Sequence, residues 1–474
     1  MRSVSRLPWR LLSPTSQICK IFSDCVVEMT TTLVYGLAVA GRAVATELSL
    51  RGEKLVLVDD VQTESSQEFA RSLDSRIYFR PSETELTSII ERVDRVVPAP
   101  GVYEKHQLFT LSQRAQKPMM SEIELAYQFE QKNPPTRPMV AVTGTDGKTT
   151  TTLMASAILN SAGHKSMAVG NTETPLISAL RTDAQAFAVE CSSFRLALTQ
   201  SFRAKAAAWL NFAPDHLDWH SSMSSYDAAK AKIWAHTLPS DVAVVPSGND
   251  VILAHAKKSS ARIVSFGGQS GDYHALNGVL MGPSGEIMHS KEMSRSLPHD
   301  ITNALAAAAI TIESGLASPS QVADALCKFV NAAHRIEFVA KDNDIRWFND
   351  SKATSPHAAC VALKSFDSIV LIAGGKNKDL DLSLMAKDAK NVKAVVAIGS
   401  SAAEIVSAFT GLCEVKVANS MHDAVECASR FAKPGDVVLL SPGCTSFDWY
   451  KNYGERGTDF KNEVQKLIDK PTKR

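Results

Sequence analysis

The run Thr143-Gly144-Thr145-Asp146-Gly147-Lys148-Thr149-Thr150 combines the residue types that hold phosphate. Glycines let backbone N–H groups turn inward on phosphate oxygens, a lysine reaches the β- and γ-phosphates, and a hydroxyl joins the shell of Mg²⁺. Here these are Gly144 and Gly147, then Lys148, then Thr149, with Thr145, Asp146 and Thr150 completing the loop. The spacing is shorter than G-x-x-x-x-G-K-[ST]. The context is nevertheless right, because the apolar run Met139-Val140-Ala141-Val142 precedes the loop and a helical pattern through Leu153, Met154, Ala157 and Ile158 follows it. Strand, glycine loop and helix N-terminus in that order specify a nucleoside triphosphate site rather than a turn with an exposed lysine.

Three further residues could serve phosphoryl chemistry. Glu190 ends the apolar run Ala186-Phe187-Ala188-Val189, at a sheet's carboxyl edge, where ligands of open α/β folds bind. It is either a hard oxygen donor to Mg²⁺ or an acid capping the next helix. His216 and His220 stand four apart in Asp215-His216-Leu217-Asp218-Trp219-His220, a spacing that also suits zinc, although no H-E-x-x-H and no third ligand cluster accompanies them. A plain surface role is the other reading. Lys230 lies in Tyr226-Asp227-Ala228-Ala229-Lys230-Ala231-Lys232, where pattern alone gives one solvated lysine beside another.

The elements that must position these groups read as an α/β protein of three domains. Residues 29–133 open with the strand Thr32–Tyr35, the glycine turn Gly36–Gly41, a helical stretch to Arg51 and the strand Lys54–Val58, ending on Asp59. This β-α-β unit is Rossmann-like, but Ala38 replaces the middle glycine of the dinucleotide fingerprint, so helix–strand packing explains the motif as well as nucleotide binding does. The polar, proline-rich segment Gln131–Pro138 reads as a linker into a central P-loop ATPase domain, residues 134–332, with a mainly parallel sheet. A second Rossmann-like domain, residues 333–474, carries the buried runs Ile369–Ile372, Val395–Ile398 and Val437–Leu440 separated by helical segments.

The chain's 474 residues carry 51 Lys+Arg against 50 Asp+Glu, a formal charge of +1, which argues against a protein that grips nucleic acid through bulk charge. Eight cysteines without a C-x-x-C pair make neither a disulfide framework nor a zinc ribbon, and fit reduced thiols in the cytoplasm. No apolar run is long enough to span a membrane. Met1–Ser23 holds Arg2, Arg6, Arg10 and Lys20 and no acid. Residues 1–28 are therefore expected to be a disordered extension or a misassigned start before Met29, with an organellar transit peptide as the alternative.

The loop G-T-D-G-K-T-T after an apolar strand resembles that of the Mur ligases, ATP-dependent amino-acid ligases of peptidoglycan synthesis. Other stretches resemble the family in the same order: Gly170-Asn171-Thr172, Glu190-Cys191-Ser192-Ser193-Phe194, Asn211–Asp218, His334-Arg335-Ile336-Glu337, Asn349-Asp350-Ser351-Lys352-Ala353-Thr354 and Gly374-Gly375-Lys376-Asn377-Lys378. The C-terminal Ser441-Pro442-Gly443-Cys444-Thr445-Ser446-Phe447-Asp448 looks most like the members that add D-glutamate. The resemblance implies ATP as co-substrate, two Mg²⁺ ions, and joining of D-glutamate to UDP-N-acetylmuramoyl-L-alanine by a monomeric cytoplasmic enzyme. It implies that Lys148, His216 and Lys230 are catalytic, with Lys230 carbamylated so that it, like Thr149, Glu190 and His216, offers the metal ions a ligand. Asp300 and Asn303 would then face adenine, with Arg335 and Asp350 at the phosphates and ribose. Val39, Ala40, Asp59, Gly101, Asn171 and Ser192 would hold the UDP substrate, and Lys352, Thr354, Lys378, Ser446 and Phe447 the D-glutamate.

Three positions depart from that pattern. Asp146 and Asp300 stand where the family usually or often has Asn, and Arg195 stands where Gln is common. A folate-polyglutamate ligase is the nearest rival within the class. A nicotinamide oxidoreductase built on residues 33–60 is disfavoured by the P-loop and the incomplete glycine fingerprint. A nucleotide switch would not need a further α/β domain with an anion-binding lysine after Gly-Gly.

Overall fold

The computed structural model describes residues 29–469 apart from Asp218 and Asp388, so the expectation for residues 1–28 lies outside the described residues. The chain divides into two compact units, one running to Val102 with His106–Met120, the other comprising Tyr103–Lys105 and Ser121 onward.

The first unit is a parallel sheet of four strands in the order Arg76–Phe79, Lys54–Asp59, Thr31–Tyr35 and Arg95–Pro98. Leu33, Tyr35, Val58 and Val96 bury one face against Leu86, Ile89 and Ile90 of the helix Glu83–Glu91. The G-x-A-x-x-G motif is explained by packing. A Cβ on Gly41, in the helix Val39–Leu50, would lie 1.8 Å from the Gly36 carbonyl oxygen, so only glycine lets the helix start this close to the loop. Asp59 fastens the same loop, its two oxygens accepting the N–H groups of Leu37 at 2.6 Å and Val61 at 2.9 Å.

The second unit contains two six-stranded sheets. The first is all parallel, ordered Arg262–Phe266, Val242–Pro246, Ala206–Trp209, Met139–Thr143, Ala186–Glu190, Ser166–Gly170. The helices Lys148–Ser161 and Pro298–Glu313 pack together on it, and the run Ala304–Ala309 is entirely buried at their contact. The second sheet is ordered Glu337–Asp342, Ile345–Asn349, Val437–Leu440, Ile369–Gly374, Val392–Ile398, Glu414–Val417, and only its first strand is antiparallel. A small antiparallel sheet over His274–His289 was not legible in the sequence, because its strands are only three to five residues long and carry no clear alternation.

The two compact units part at Ser121, and the helix Glu122–Gln131 goes with the second unit. The reason lies in buried acids. Glu124 Oε2 accepts the N–H groups of Gln200, Ser201 and Phe202 at 2.9–3.0 Å, so the helix is fastened to the strand connection at residues 200–202.

In the second sheet, the motif loops at 349–354 and 441–448 are joined by one side chain. Arg456 is fully buried and donates to Ser351 Oγ, to the Ser351 carbonyl and to the carbonyls of Cys444 and Thr445, at 2.8–3.1 Å. Burial pulls its pKa down to about 10. Arg456→Met fills the volume but leaves those acceptors without donors. It is expected to lower unfolding stability by about 3 kcal/mol, read from guanidinium denaturation.

Candidate active site

The P-loop is shaped by a left-handed residue. Gly147 has φ +80° and caps the helix Lys148–Ser161, and a Cβ there would stand 2.5 Å from Asn303 Oδ1. The first turn of that helix carries no acid. Asn211 Oδ1 holds the N–H groups of Thr145 and Asp146, both at 2.9 Å. The Lys148 ammonium bridges the carbonyls of Gly144 at 2.9 Å and Thr145 at 2.7 Å. Thr149 Oγ1 accepts from the Arg335 guanidinium at 2.6 Å, which ties the first sheet's loop to the second sheet's domain.

This loop opens on a cavity of about 770 Å³, within the range of small-molecule sites. Thr145, Asp146, Gly147, Lys148, Thr149 and Thr150 form one wall, with Glu190, Asn171, Ser192, His216 and Lys230 beside them. Asn303, Arg335, Asp350, Lys352, Thr354 and Lys378 complete it. Side chains that no motif singled out also line it, notably Arg295, His299, Thr302, Asp379 and Leu380.

Lys230 is not the solvated lysine its helix pattern suggests. It is almost wholly buried, its Nζ donates to the Gly144 carbonyl at 2.6 Å, and it lies 4.6 Å from the centroid of the Tyr226 ring. Burial, reinforced by the positive charge of Lys148, holds its pKa well below the ordinary lysine value. Burial likewise lifts the Asp350 carboxyl to about 7, despite the Ser441 hydroxyl at 2.8 Å and the Ile336 N–H at 3.2 Å.

The site residues suit a hard cation at one point. Glu190 is buried on the cavity wall, and its Oε2 has no hydrogen-bond partner, which leaves a carboxylate oxygen for Mg²⁺. Its Oε1 accepts from Asn171 Nδ2 at 3.0 Å. Asn171 Oδ1 in turn accepts from the buried Arg195 at 2.6 Å, and Arg195 Nε stands 3.3 Å from Glu122 Oε2. A relay of buried charges therefore reaches Glu190 from the helix Glu122–Gln131. Among the described residues no three His, Cys, Asp or Glu side chains converge on a metal position, and His220 Nε2 bonds Ser193 Oγ at 2.8 Å.

Some expected positions are not brought to this cavity. Asp300 is fully buried in the first turn of the helix Pro298–Glu313, and both its oxygens are held by the Arg295 guanidinium at 2.6 Å. Its charge is paired and it does not line the cavity, whereas Arg295 and His299 stand on the wall. Ser446 is buried under its loop, its carbonyl accepting the N–H groups of Trp449 and Tyr450, while Phe447 is 66% exposed. Neither lines the cavity, and Gly144 lies just behind it. Val39, Ala40, Asp59 and Gly101 belong to the first unit, with Val39 and Gly101 exposed, Ala40 buried and Asp59 occupied by its loop.

A nucleotide loop on one parallel sheet, sharing a cavity with lysines from a second, describes an enzyme that activates one substrate for attack by another. Residues 142–311 match the model of the Mur ligase middle domain, and residues 334–444 that of the Mur ligase, glutamate ligase domain. The UDP-N-acetylmuramoylalanine–D-glutamate ligase of Frankia casuarinae is 36% identical over 457 residues, covering 91% of this chain and 93% of that one. Its counterpart in Pelotomaculum thermopropionicum is 38% identical over 390 residues, 80% and 84% of the two chains. The structure of UDP-N-acetylmuramate-alanine ligase MurC from Thermotoga maritima superposes with a TM-score of 0.58 at 20% identity over 93% of this chain and 100% of that one, a likeness of fold. The chain belongs to the Mur ligase family.

The relay behind Glu190 makes a prediction. Burial raises the Glu122 carboxyl above its usual range, and Arg195 works against that rise. In Arg195→Ala the carboxyl rises further. A raised acid favours folding while protonated and loses that contribution as pH climbs through the raised value. The variant is therefore expected to lose about 3 kcal/mol relative to the parent near pH 8 and much less near pH 5, in denaturation series at the two values.

Proposed function

We infer that this protein is the ATP-dependent ligase that joins D-glutamate to UDP-N-acetylmuramoyl-L-alanine, giving ADP and phosphate, in peptidoglycan precursor synthesis. The observation that carries the reading is one cavity holding both the phosphate loop and three groups, Lys352, Thr354 and Lys378, from the second sheet's domain. The relatives that match 80–91% of the chain bear the corresponding name. The functional division we propose is a UDP-substrate domain at 29–133, an ATP domain at 134–332 and an amino-acid domain at 333–474, acting as a monomer in the cytoplasm.

A carboxylate does not react with an amine in water, because its oxygen is a poor leaving group. The L-alanyl carboxylate of the UDP substrate attacks the γ-phosphorus of ATP, the bond to ADP breaks, and an acyl phosphate forms. The amine of D-glutamate then attacks the acyl carbon, loses a proton, and expels phosphate. Both steps gather negative charge, so fixed cations lower the barrier. Lys148 and the N-terminus of Lys148–Ser161 serve the triphosphate, and Arg335 stands at the loop from the opposite side. Asn303 lies against Gly147 and shapes the nucleotide end. Asn171 and Ser192 sit on the side of Glu190, where the acyl substrate would lie.

We propose that Thr149 and Glu190 hold one Mg²⁺, and that His216 and a carbamylated Lys230 hold a second. Bound there, magnesium would neutralise oxygens of the triphosphate and the acyl phosphate. Only a neutral amine reacts with CO₂, and the buried Lys230, its pKa held low, is suited to that reaction. Lys378, exposed on the wall, is the cation for the D-glutamate side chain.

Phosphate release should require both UDP-N-acetylmuramoyl-L-alanine and D-glutamate. Release without D-glutamate would point to a nucleotide switch, and release with another amino acid only would keep the class and change the substrate. Lys378→Ala is expected to raise KM for D-glutamate about 10- to 100-fold, with far less effect on KM for ATP. Lys230→Ala is expected to lower kcat at least about 100-fold, with partial rescue by formate or acetate. Full activity without rescue would remove the carbamate from the scheme.

A further inference from the structure

Asp146 puts a carboxylate inside the loop that must hold a triphosphate, two residues before Lys148. Left unpaired, that charge would repel the ligand across a partly desolvated cavity. It is not unpaired. His357 Nδ1 donates to Asp146 Oδ2 in a very short contact, across a sequence separation of 211 residues. His357 stands in the first turn of the helix Pro356–Leu363, which Ser355 caps by accepting the Ala358 N–H. Its neighbours Ser355 and Ala358 line the cavity, while His357 touches it only through Asp146. The two side chains are 39% and 25% exposed.

We propose that His357 is a positioning residue for ATP binding: its imidazolium cancels the charge of Asp146 and orients the P-loop, so nucleotide affinity depends on a residue from the other sheet's domain. The proposal rests on the reading of this loop as the ATP site. The groups facing the pair are Lys148, Lys230 and Arg335 on the Asp146 side, and Asp215 and Lys364 on the His357 side. The hydrogen bond and charge of Asp146, opposed by burial, raise the pKa of His357. Burial works against ionisation of Asp146, but His357, Lys148 and Arg335 together hold its carboxyl below the usual range. The pair is therefore intact below the ordinary histidine value of about 6.5 and is lost as pH rises through the raised one.

The test is calorimetric binding of a β,γ-methylene ATP analogue with Mg²⁺ to the full chain and its variants, from about pH 6.5 to pH 9. His357→Ala is expected to weaken binding about tenfold at the lower pH. Adding Asp146→Asn to that variant should bring the Kd back to within about threefold of the parent, since it removes the charge that His357 cancelled. The parent should lose affinity as pH rises, relative to the double variant, whose profile should follow the analogue's own ionisation. A packing role for His357 would give loss without rescue and no difference in pH profile, and that result overturns the proposal, as does unchanged binding in His357→Ala. Failure of the parent to bind the analogue would overturn the ATP reading itself.

Discussion

A methyl group on Gly147 would lie 2.5 Å from Asn303 Oδ1, and the left-handed turn at that glycine is what aims the first N–H groups of the helix Lys148–Ser161 at a ligand. Much else in the second unit follows from the closeness of this approach. The helix Pro298–Glu313 brings Asn303 this near through a segment of small side chains, Ala304 and Ala306 to Ala309, all buried against the P-loop helix and the sheet. Asn211 then fixes the loop from the strand side by accepting two of its N–H groups. Replacing the glycine would therefore disturb a helix–helix contact as well as an anion cradle.

Buried charge is the second organising constraint. Asp146, Asp300 and Arg195 each have an opposite charge beside them: His357, Arg295 and Glu122. An isolated buried charge costs several kcal/mol, whereas a paired and hydrogen-bonded one can be nearly neutral in stability. The pairs do more than balance charge. Arg295 also donates to the carbonyls of Arg335 and Ile336, so the partner of Asp300 fastens the segment that carries an arginine of the cavity wall. A chain with a formal charge of +1 thus gathers cations around one cavity while pairing Asp146 and Asp300 beside it.

The strands Thr31–Tyr35, Lys54–Asp59, Ile369–Gly374, Val392–Ile398 and Val437–Leu440 and the P-loop were legible because their signals are local: short apolar runs, most of them ending at a turn. Gly41 is an instructive case, since the sequence allowed nucleotide binding or packing and the 1.8 Å approach to Gly36 shows the packing. What the sequence hid was direction and distance. Lys230 and Lys232 are two residues apart, yet Lys230 is almost wholly buried against the Gly144 carbonyl while Lys232 is half-buried and donates to Ala197. The partner of Asp300 lies only five residues upstream, but nothing in the spacing says that the arginine turns inward. His357 meets Asp146 across more than two hundred residues, which no periodicity reports. Glu122, at the end of a segment that reads as the close of the first domain, is claimed by the second unit through a buried ion pair.

The same geometry gives a physical reason for a cavity whose polar groups are divided between two sheets. A ligase must hold an activated acyl group away from water until an amine arrives, and it must then release both product and ADP. If one rigid sheet carried every cation, tight binding of the polyanionic intermediate would also be tight binding of the products. Here the loop on the first sheet and the lysines of the second domain are joined across the cavity by a few polar contacts, Arg335 to Thr149, Arg295 to the 335–336 carbonyls and His357 to Asp146. Contacts of that kind are individually worth a kcal/mol or so net, and weaken with charge state and water. The bound nucleotide, touching both sides, would supply attraction that the few polar contacts lack, and its conversion to ADP and phosphate would take part of that attraction away. Coupling between the domains and affinity for the triphosphate would then be two measures of one set of charges.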